Sequence, residues 1–450
     1  ITTAFYCGDW MNGAGIYRKW VDEWFVAPVV PEHIRKMSGW QRVIMHHQYG
    51  EYFFRYNDLE KIYDNGAKAG IDTLFLFGWT AEGMDAGYPD YTPDPTQGGF
   101  NELKKNILKV RGKGGHVILY FNGQLIDVAS EYYRNGQGEH VSIKRADGTE
   151  HREFYNFSNT GTFLRLFGNK TFAVACPACS NWLEILKRHI DFAIEVGADS
   201  VFFDQLGLAS YPCCDPSHGH PVPFTGLMAA KREMLRELYE YTKDKAPWMG
   251  FGIECTTDQT VQYTDFVHIF GNVSQSWDEA WRESGTVPRQ KSGAYLFKAV
   301  MPESIISNRN IRDDSDVEFP VNRTILLGSR SDVEIYRCRA DISATPRYQE
   351  YLGKANALRE KFADVLYNGI FSNRDYHSID NPAVQTNSFR LEDQLAVIVT
   401  QSSEDHVETT VSAPGYRLES YDSINGDVIV DIDTVRIPRD GLVVLIYRKI

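Results

Sequence analysis

Between residues 72 and 254 the chain repeats one pattern: a short unbroken apolar run, a helix-like stretch, then another run. The runs DTLFLFGW (72–79), HVILYFN (116–122), SVFFDQ (200–205) and MGFGIE (249–254) are too short for buried helices and carry no polar alternation. Such runs read as strands buried on both faces, which a parallel sheet covered by helices requires. RVIMHHQ (42–48), FVHIFG (266–271) and YLFKAV (295–300) supply further strand candidates. So many units favour α/β architecture of the (β/α)8 TIM-type barrel over an open doubly wound sheet. No GxGxxG or GxxxxGK[ST] follows any run, which weakens a nucleotide-binding reading.

The helical segments fit between them. NDLEKIYDNGAKAG (57–70) has Asn57 and Glu60 spaced as a cap pair, and Gly70 closes it. NELKKNILKVRGKGG (101–115) aligns Leu103, Ile107 and Val110. Ser180 to Val196 and about 225–245 are the next helices, and 346–366 the last, while 127–175 reads as a long insertion. The eighth unit has no clear place between 303 and 345. From about 370 the texture becomes short alternating strands with turns between them, a small C-terminal antiparallel β-sandwich. The expected domains are therefore a barrel over 1–368 and a sandwich over 369–450.

Two of the strands end on a carboxylate, Asp204 and Glu254. An ionised group at the end of a core strand must be paired or used, and barrel enzymes keep their chemistry at the C-terminal ends of the strands. Counted from residue 42, these are the fourth and fifth strands, hence neighbours about 4.8 Å apart. That suits a glycosidase pair, at about 5–5.5 Å for retention or 6.5–9.5 Å for inversion. Asp204 is assigned as nucleophile. Glu254, flanked by Ile253 and Cys255, has the less polar setting that raises a general acid's pKa. An ion pair to Arg282 or Arg309 is the bland alternative.

The Gly/Pro-rich loop 78–99 is long enough to bind something. Trp79 offers a stacking face, Tyr88 a further contact, and Asp85 and Asp90 offer acceptors for sugar hydroxyls. A calcium loop is the competing reading, and otherwise no cofactor is expected. His46 and Gln48 end the first strand, Gln205 adjoins Asp204, His218 and His220 lie in CCDPSHGHP (213–221), and Arg309 completes the candidate substrate contacts. His268 reads as a core histidine.

A net charge of -13 argues against nucleic-acid or anionic-membrane partners. The 25 Tyr, 25 Phe and 9 Trp suit a carbohydrate binder, since sugars stack their C–H faces on rings, though they suit any large core too. No run reaches the ~18 apolar residues of a membrane span. Seven cysteines do not make a disulfide framework. Cys176-x-x-Cys179, Cys213-Cys214 and His218-x-His220 could ligate a metal. Vicinal cysteines and a proline inside CPAC fit a zinc knuckle poorly, so thiols packed near a pocket are the expectation, with no metal.

With GDWMNGAGIYRKW, WTAEGMDAGYPDY, VFFDQ and GIE in view, the chain resembles the bacterial barrel glycoside hydrolases of the endo-α-N-acetylgalactosaminidase and α-N-acetylgalactosaminidase families 101 and 129. The resemblance covers most of residues 8–260. It implies an Asp nucleophile after the fourth strand and a Glu acid/base after the fifth, which fall on Asp204 and Glu254. It further implies a β-sandwich preceding residue 1 and export to a secreted, periplasmic or cell-surface location. The 254 − 204 = 50 residues between the carboxylates exceed that family's spacing, and CCDPSHGHP accounts for the excess, so a related but distinct group is expected. The leading expectation is a retaining α-glycosidase acting on a polysaccharide or glycan. The alternatives are a Cys/His metal-dependent hydrolase and a catalytically inactive carbohydrate-binding barrel.

Overall fold

Eight short strands lie parallel in one sheet: β1 Gly39–Ile44, β2 Thr73–Phe77, β3 His116–Asn122, β4 Ser200–Asp204, β5 Gly250–Glu254, β6 Phe266–His268, β7 Ser307–Arg312 and β8 Arg330–Ile335. The computed structural model describes residues 3–8, 10–48, 50–155, 170–268, 293–402 and 405–450. The strands follow one another across the sheet in chain order, with β8 beside β1. The outer strands, β6 and β7, approach each other at a parallel bridge between Val267 and Ile306, where the Val267 amide donates to the Ile305 carbonyl at 2.8 Å.

Side chains alternate across a strand, so one row from each strand faces the inside of the curved sheet. Trp40, Phe75, Phe202 and Phe266 form an aromatic layer there, with ring centroids 5.7 Å (Trp40–Phe75), 4.7 Å (Phe75–Phe202) and 5.8 Å (Trp40–Phe266) apart. Gly252 on β5 makes room for it: a Cβ at that position would meet the Phe266 ring at 2.2 Å. Two residues further along the same strands stand Arg42, Phe77, Asp204, His268 and Glu254. The dry aromatic layer therefore forms the floor beneath a polar one.

The strands at 72–79, 116–122, 200–205 and 249–254 lie where the apolar runs place them. Other segments differ. β1 starts at Gly39, three residues before the expected run, because Gly39 and Trp40 already pair with β8. YLFKAV is not a strand but the end of the helix Gly293–Val300. Its apolar residues point to two clusters, Phe297 and Val300 to the barrel core and Tyr295 to the layer beneath the C-terminal sheets, and so short an apolar run cannot be told from a buried helix by periodicity. The missing unit is β7, the helix Glu318–Leu326 and β8. The expected first helix begins as a 3-10 turn, Tyr56–Asp58, capped by Asp58 on the Arg55 amide at 2.7 Å rather than by Asn57 and Glu60, and runs on as Leu59–Ala67. The last helix is two, Pro346–Lys361 and Ala363–Asn368.

Beyond residue 369 come a five-stranded and a four-stranded antiparallel sheet. The strand Gln394–Thr400 is buried on both faces. Leu395, Val397 and Val399 meet Val407, Val411, Val435 and Ile437 of the smaller sheet. Ala396 and Ile398 pack instead with Ile325, Leu352 and Leu358 of the barrel's last helices. A period of two thus splits one strand between an internal core and an interdomain layer. Among the described residues, no helix is long and apolar enough to cross a membrane.

Candidate active site

β4 and β5 are buried along their length until the final residue, where solvent contact begins at Asp204 and Glu254. The register aligns Ser200 with Gly250 and Phe203 with Ile253, so the carboxylates that follow stand level with each other. Each is followed at once by a residue in the left-handed region, Gln205 at φ 59° and Cys255 at φ 55°. That conformation costs a side-chain-bearing residue of order 1–3 kcal/mol and clusters at functional sites. It turns the chain sharply off the strand and keeps both carboxylates at the rim.

Asp204 and Glu254 lie close enough to shift each other's titration. Two carboxyl groups so near each other resist ionising together. Burial raises both pKa values. The Tyr120 hydroxyl donates to Asp204 Oδ2 at 2.8 Å, and this, the bond from Glu254 and the nearby His268 and Arg42 draw Asp204 back down. Glu254 is raised well above the usual carboxyl range by burial and then by the charge of Asp204, although the Gln205 amide donates to its Oε2 at 3.2 Å. Of the two, Glu254 is the one held more strongly toward its protonated form.

Loop 78–99 crosses the end of β1 at Gly78, φ 55°, where a Cβ would meet the His46 carbonyl at 2.3 Å. This brings Asp85 inward. The Tyr88 hydroxyl lies 2.9 Å from the Asp85 amide and 3.3 Å from the Tyr120 hydroxyl, linking Asp85 to Asp204 through two tyrosines. Asp85 is pushed up to about 7, by burial first and by the charge of Asp204 second. An unfolded Asp titrates near ~3.9. Between those values the folded protein holds one extra proton here, so stability falls as pH rises, by about 1.4 kcal/mol per unit for this group. Asp85→Asn should flatten that slope in urea denaturation series spanning about pH 4–7; an unchanged slope would mean that Asp85 is already ionised there.

The insertion builds another wall. Its strands Leu125–Asp127, Lys170–Val174 and Arg152–Tyr155 form an antiparallel sheet, tied to the loop by the Gly87 amide on Asp127 Oδ2 at 2.8 Å. Phe154 points outward, 66% exposed, so Glu153 and Tyr155 point the other way, and both reach Gln205. Under Gln205, buried Lys231 donates to the Gln124 side chain at 2.6 Å and to the Gln205 carbonyl at 3.3 Å, and burial pulls it down to about 7.

Beside the carboxylates, with Arg42 and His268 in the same layer, sits a charged knot that sequence reasoning missed. Arg42 Nη2 lies 2.6 Å from Asp332 Oδ2 and 2.8 Å from His268 Nε2, and His268 Nε2 is 2.9 Å from the same oxygen. Trp40 Nε1 donates to Asp332 Oδ1 at 2.8 Å. His268 is thus a buried core histidine whose ring nitrogen is satisfied within this knot. The available signal was the alternation Trp40–Arg42 and Asp332–Glu334, which sets charges on the inward rows of two strands. Tyr120 was legible the same way, two residues before the end of β3.

Several expected contacts lie elsewhere. Trp79 is 1% exposed, stacked on Phe192 of the helix Ser180–Val196 at 5.2 Å, with its Nε1 on the Tyr120 carbonyl; it is a core residue, not a sugar platform. Asp90 accepts from the Tyr132 amide at 2.9 Å at the start of the short helix Glu131–Arg134, while Asp94 caps the turn Pro95–Gln97, so these acids of the loop serve local turns. His46 stacks on Tyr52 at 4.3 Å, and Gln48 follows in the same loop. His218 and His220 turn toward Cys213 and Cys176. Arg309 lies on β7, where its side chain, like Arg282, is outside the described residues.

Parallel strands thus deliver a pair of neighbouring carboxyl groups to one rim of the curved sheet. The chain belongs to the family described as "Domain of unknown function (DUF6259)", whose model matches residues 1–300. It is 29% identical over 195 residues to a Bacteroides thetaiotaomicron protein named "Putative glycoside hydrolase", a match spanning 41% of this chain and 26% of that protein. Its fold is similar to the α-N-acetylgalactosaminidase NagBb of Bifidobacterium bifidum, with TM-score 0.61 at 15% identity over 87% of this chain and 62% of that one. It is also similar to the maltogenic α-amylase AmyB of Thermotoga neapolitana, with TM-score 0.65 at 12% identity over 92% of this chain and 99% of that one.

Proposed function

We propose that the protein hydrolyses an α-linked glycan with retention of anomeric configuration, at the mouth of a closed (β/α)8 barrel, with Asp204 as nucleophile and Glu254 as acid/base. The carrying observation is the level placement of two mutually interacting carboxyl groups on adjacent strand ends. So close a pair suits the narrow separation of about 5–5.5 Å used for retention better than the wider gap of about 6.5–9.5 Å that holds an inverting enzyme's water.

A sugar entering the mouth parts the pair. Glu254 gives its proton to the glycosidic oxygen as Asp204, aimed by the Tyr120 hydroxyl, attacks the anomeric carbon. The leaving alcohol departs neutral and a glycosyl ester forms on Asp204. Glu254, now a carboxylate, takes a proton from water, which attacks the same carbon and frees Asp204. With the charge of Asp204 consumed in the ester, the repulsion that raised Glu254 weakens, which suits its change from acid to base. Asp85, only partly buried, would accept from a ring hydroxyl, while Tyr88, 1% exposed, holds the Asp85 backbone in place from the core. A panel of aryl α- and β-glycosides with NMR of the first product tests this reading: an α-glycoside yielding the α-hemiacetal is expected. First-formed β-product would replace retention with inversion, and no cleavage of any member would favour a carbohydrate-binding barrel.

A further inference from the structure

Four side chains outside the carboxylate site converge. Cys176, Cys213, His218 and His220 each offer one ligand atom, and these atoms all lie within 4.8 Å of one another. Each cysteine comes from one of the pairs that looked unsuited to a knuckle. The chain takes one thiol from CPAC and one from the vicinal pair, and leaves Cys179 and Cys214 out.

We propose that these residues form a structural zinc site that fastens the loop after β4 to the insertion. A tetrahedral Zn²⁺ with Zn–S of about 2.3 Å and Zn–N of about 2.0–2.1 Å has S···N edges of about 3.5 Å. The two such edges seen here are 3.4 Å, Cys213 Sγ to His218 Nδ1, and 3.6 Å, Cys176 Sγ to His220 Nε2. Both rings are oriented as ligands. His218 Nε2 donates to the His140 carbonyl at 2.8 Å, with Asp215 Oδ2 at 3.7 Å, which leaves the Nδ1 lone pair facing the sulfurs. His220 Nδ1 donates to the Pro221 carbonyl at 2.9 Å, which leaves Nε2 facing them. Fixing each tautomer through the far nitrogen is what outer partners do for metal-bound histidines. Phe224 stacks on His220 at 4.5 Å and shields that side.

Two thiolates, two neutral imidazoles and Zn²⁺ sum to zero charge, which suits a site whose cysteines are fully buried. Four protein ligands complete the tetrahedron, so the ion has no open position for substrate or water. The metal-dependent hydrolase reading therefore has no site here. The ion would act at a distance: Cys176 ends the insertion sheet that carries Glu153 and Tyr155, while Cys213 and the two histidines belong to the loop that begins at Gln205. The Cys214 amide already donates to the Lys144 carbonyl across the same seam.

Metal content of the full chain, expressed with zinc and purified under reducing conditions without chelator, tests this. About one zinc per chain is expected, released by an organomercurial thiol reagent from the folded protein. Cobalt(II) substitution should give thiolate-to-metal charge transfer with tetrahedral d–d bands. Cys213→Ser and His220→Ala should fall below about a tenth of an equivalent, while Cys7→Ser, at an exposed cysteine away from the cluster, keeps the ion. The organomercurial and cobalt readouts use unmutated protein, so a variant that misfolds does not remove the test. Zinc below about a tenth of an equivalent in the unmutated protein, or a Cys176–Cys213 disulfide in it by mass spectrometry, overturns the proposal.

Discussion

Asp204→Asn should lower turnover of a cleavable aryl α-glycoside by about a thousandfold or more, with circular dichroism unchanged. The amide keeps the shape of the side chain and its contact with Tyr120, but has no charge with which to attack. Glu254→Gln should cost about 10²–10⁴ on a substrate whose leaving group needs a proton. The two variants separate by leaving group. A glycosyl fluoride or dinitrophenyl glycoside departs without protonation, so its first step should survive in Glu254→Gln and fail in Asp204→Asn. Asp204→Asn should also bring the titration of Glu254 down, because burial alone would then hold it up. If both variants keep full turnover, the chemistry is elsewhere on the chain.

Asp332→Ala should be the most damaging single change to stability, at about 3–5 kcal/mol in urea denaturation at neutral pH. The Asp332 side chain is fully buried and binds Arg42, His268 and Trp40 together. Its removal leaves the buried Arg42 guanidinium, among the described residues, with only the longer 3.9 Å contact to Glu334 as an ion pair. Asp332→Asn should cost less, since the amide oxygen can still accept one bond. The pH dependence has a definite sign. Although burial opposes it, the charges of Arg42 and His268 hold the Asp332 carboxyl far below the ordinary range. Its contribution is therefore fully present above the unfolded value near ~3.9 and is lost as pH falls below it. Asp332→Asn should remove part of the acid sensitivity below about pH 4. Wild-type-like stability of Asp332→Ala would show that the knot carries no net energy.

These charges act in opposite directions on the same site. The carboxyls Asp85, Asp204 and Glu254 are held above their ordinary pKa values by burial and so weigh against the folded state as pH rises. Asp332 is held below its own by cations that also face Asp204. The knot therefore sets positive charge beside Asp204 and Glu254.

What the sequence made legible follows from burial. The strands through 75, 119, 202 and 252 are covered on both faces, so their apolar runs stand out, and the carboxylates that end two of them stand out equally. β7 and β8 are hidden because SNRNIR and SRSDVEIY carry too many polar residues to stand out as apolar runs, and in β8 Asp332 and Glu334 are buried. Their sequence reads as loop until the knot is known. Trp79 misled for the opposite reason: a loop tryptophan near a binding site looks like a platform, yet the turn at Gly78 directs it into the helices. The Cys/His cluster was dismissed on local spacing. Its four members become neighbours only when the insertion folds back on the loop after β4, a contact between residue 176 and residues 213–220 that no local motif encodes.

The central claim is that Asp204 and Glu254 are a nucleophile and acid pair for glycoside hydrolysis. The most direct test is trapping with a fluorosugar whose reactive leaving group allows the glycosyl ester to form but not to turn over, matched to the glycoside that the protein cleaves, followed by peptide mass spectrometry. A single sugar adduct on Asp204 is expected, still formed in Glu254→Gln and absent in Asp204→Asn. An adduct on any other residue, or rapid inactivation of Asp204→Asn with the same labelled peptide, would contradict it.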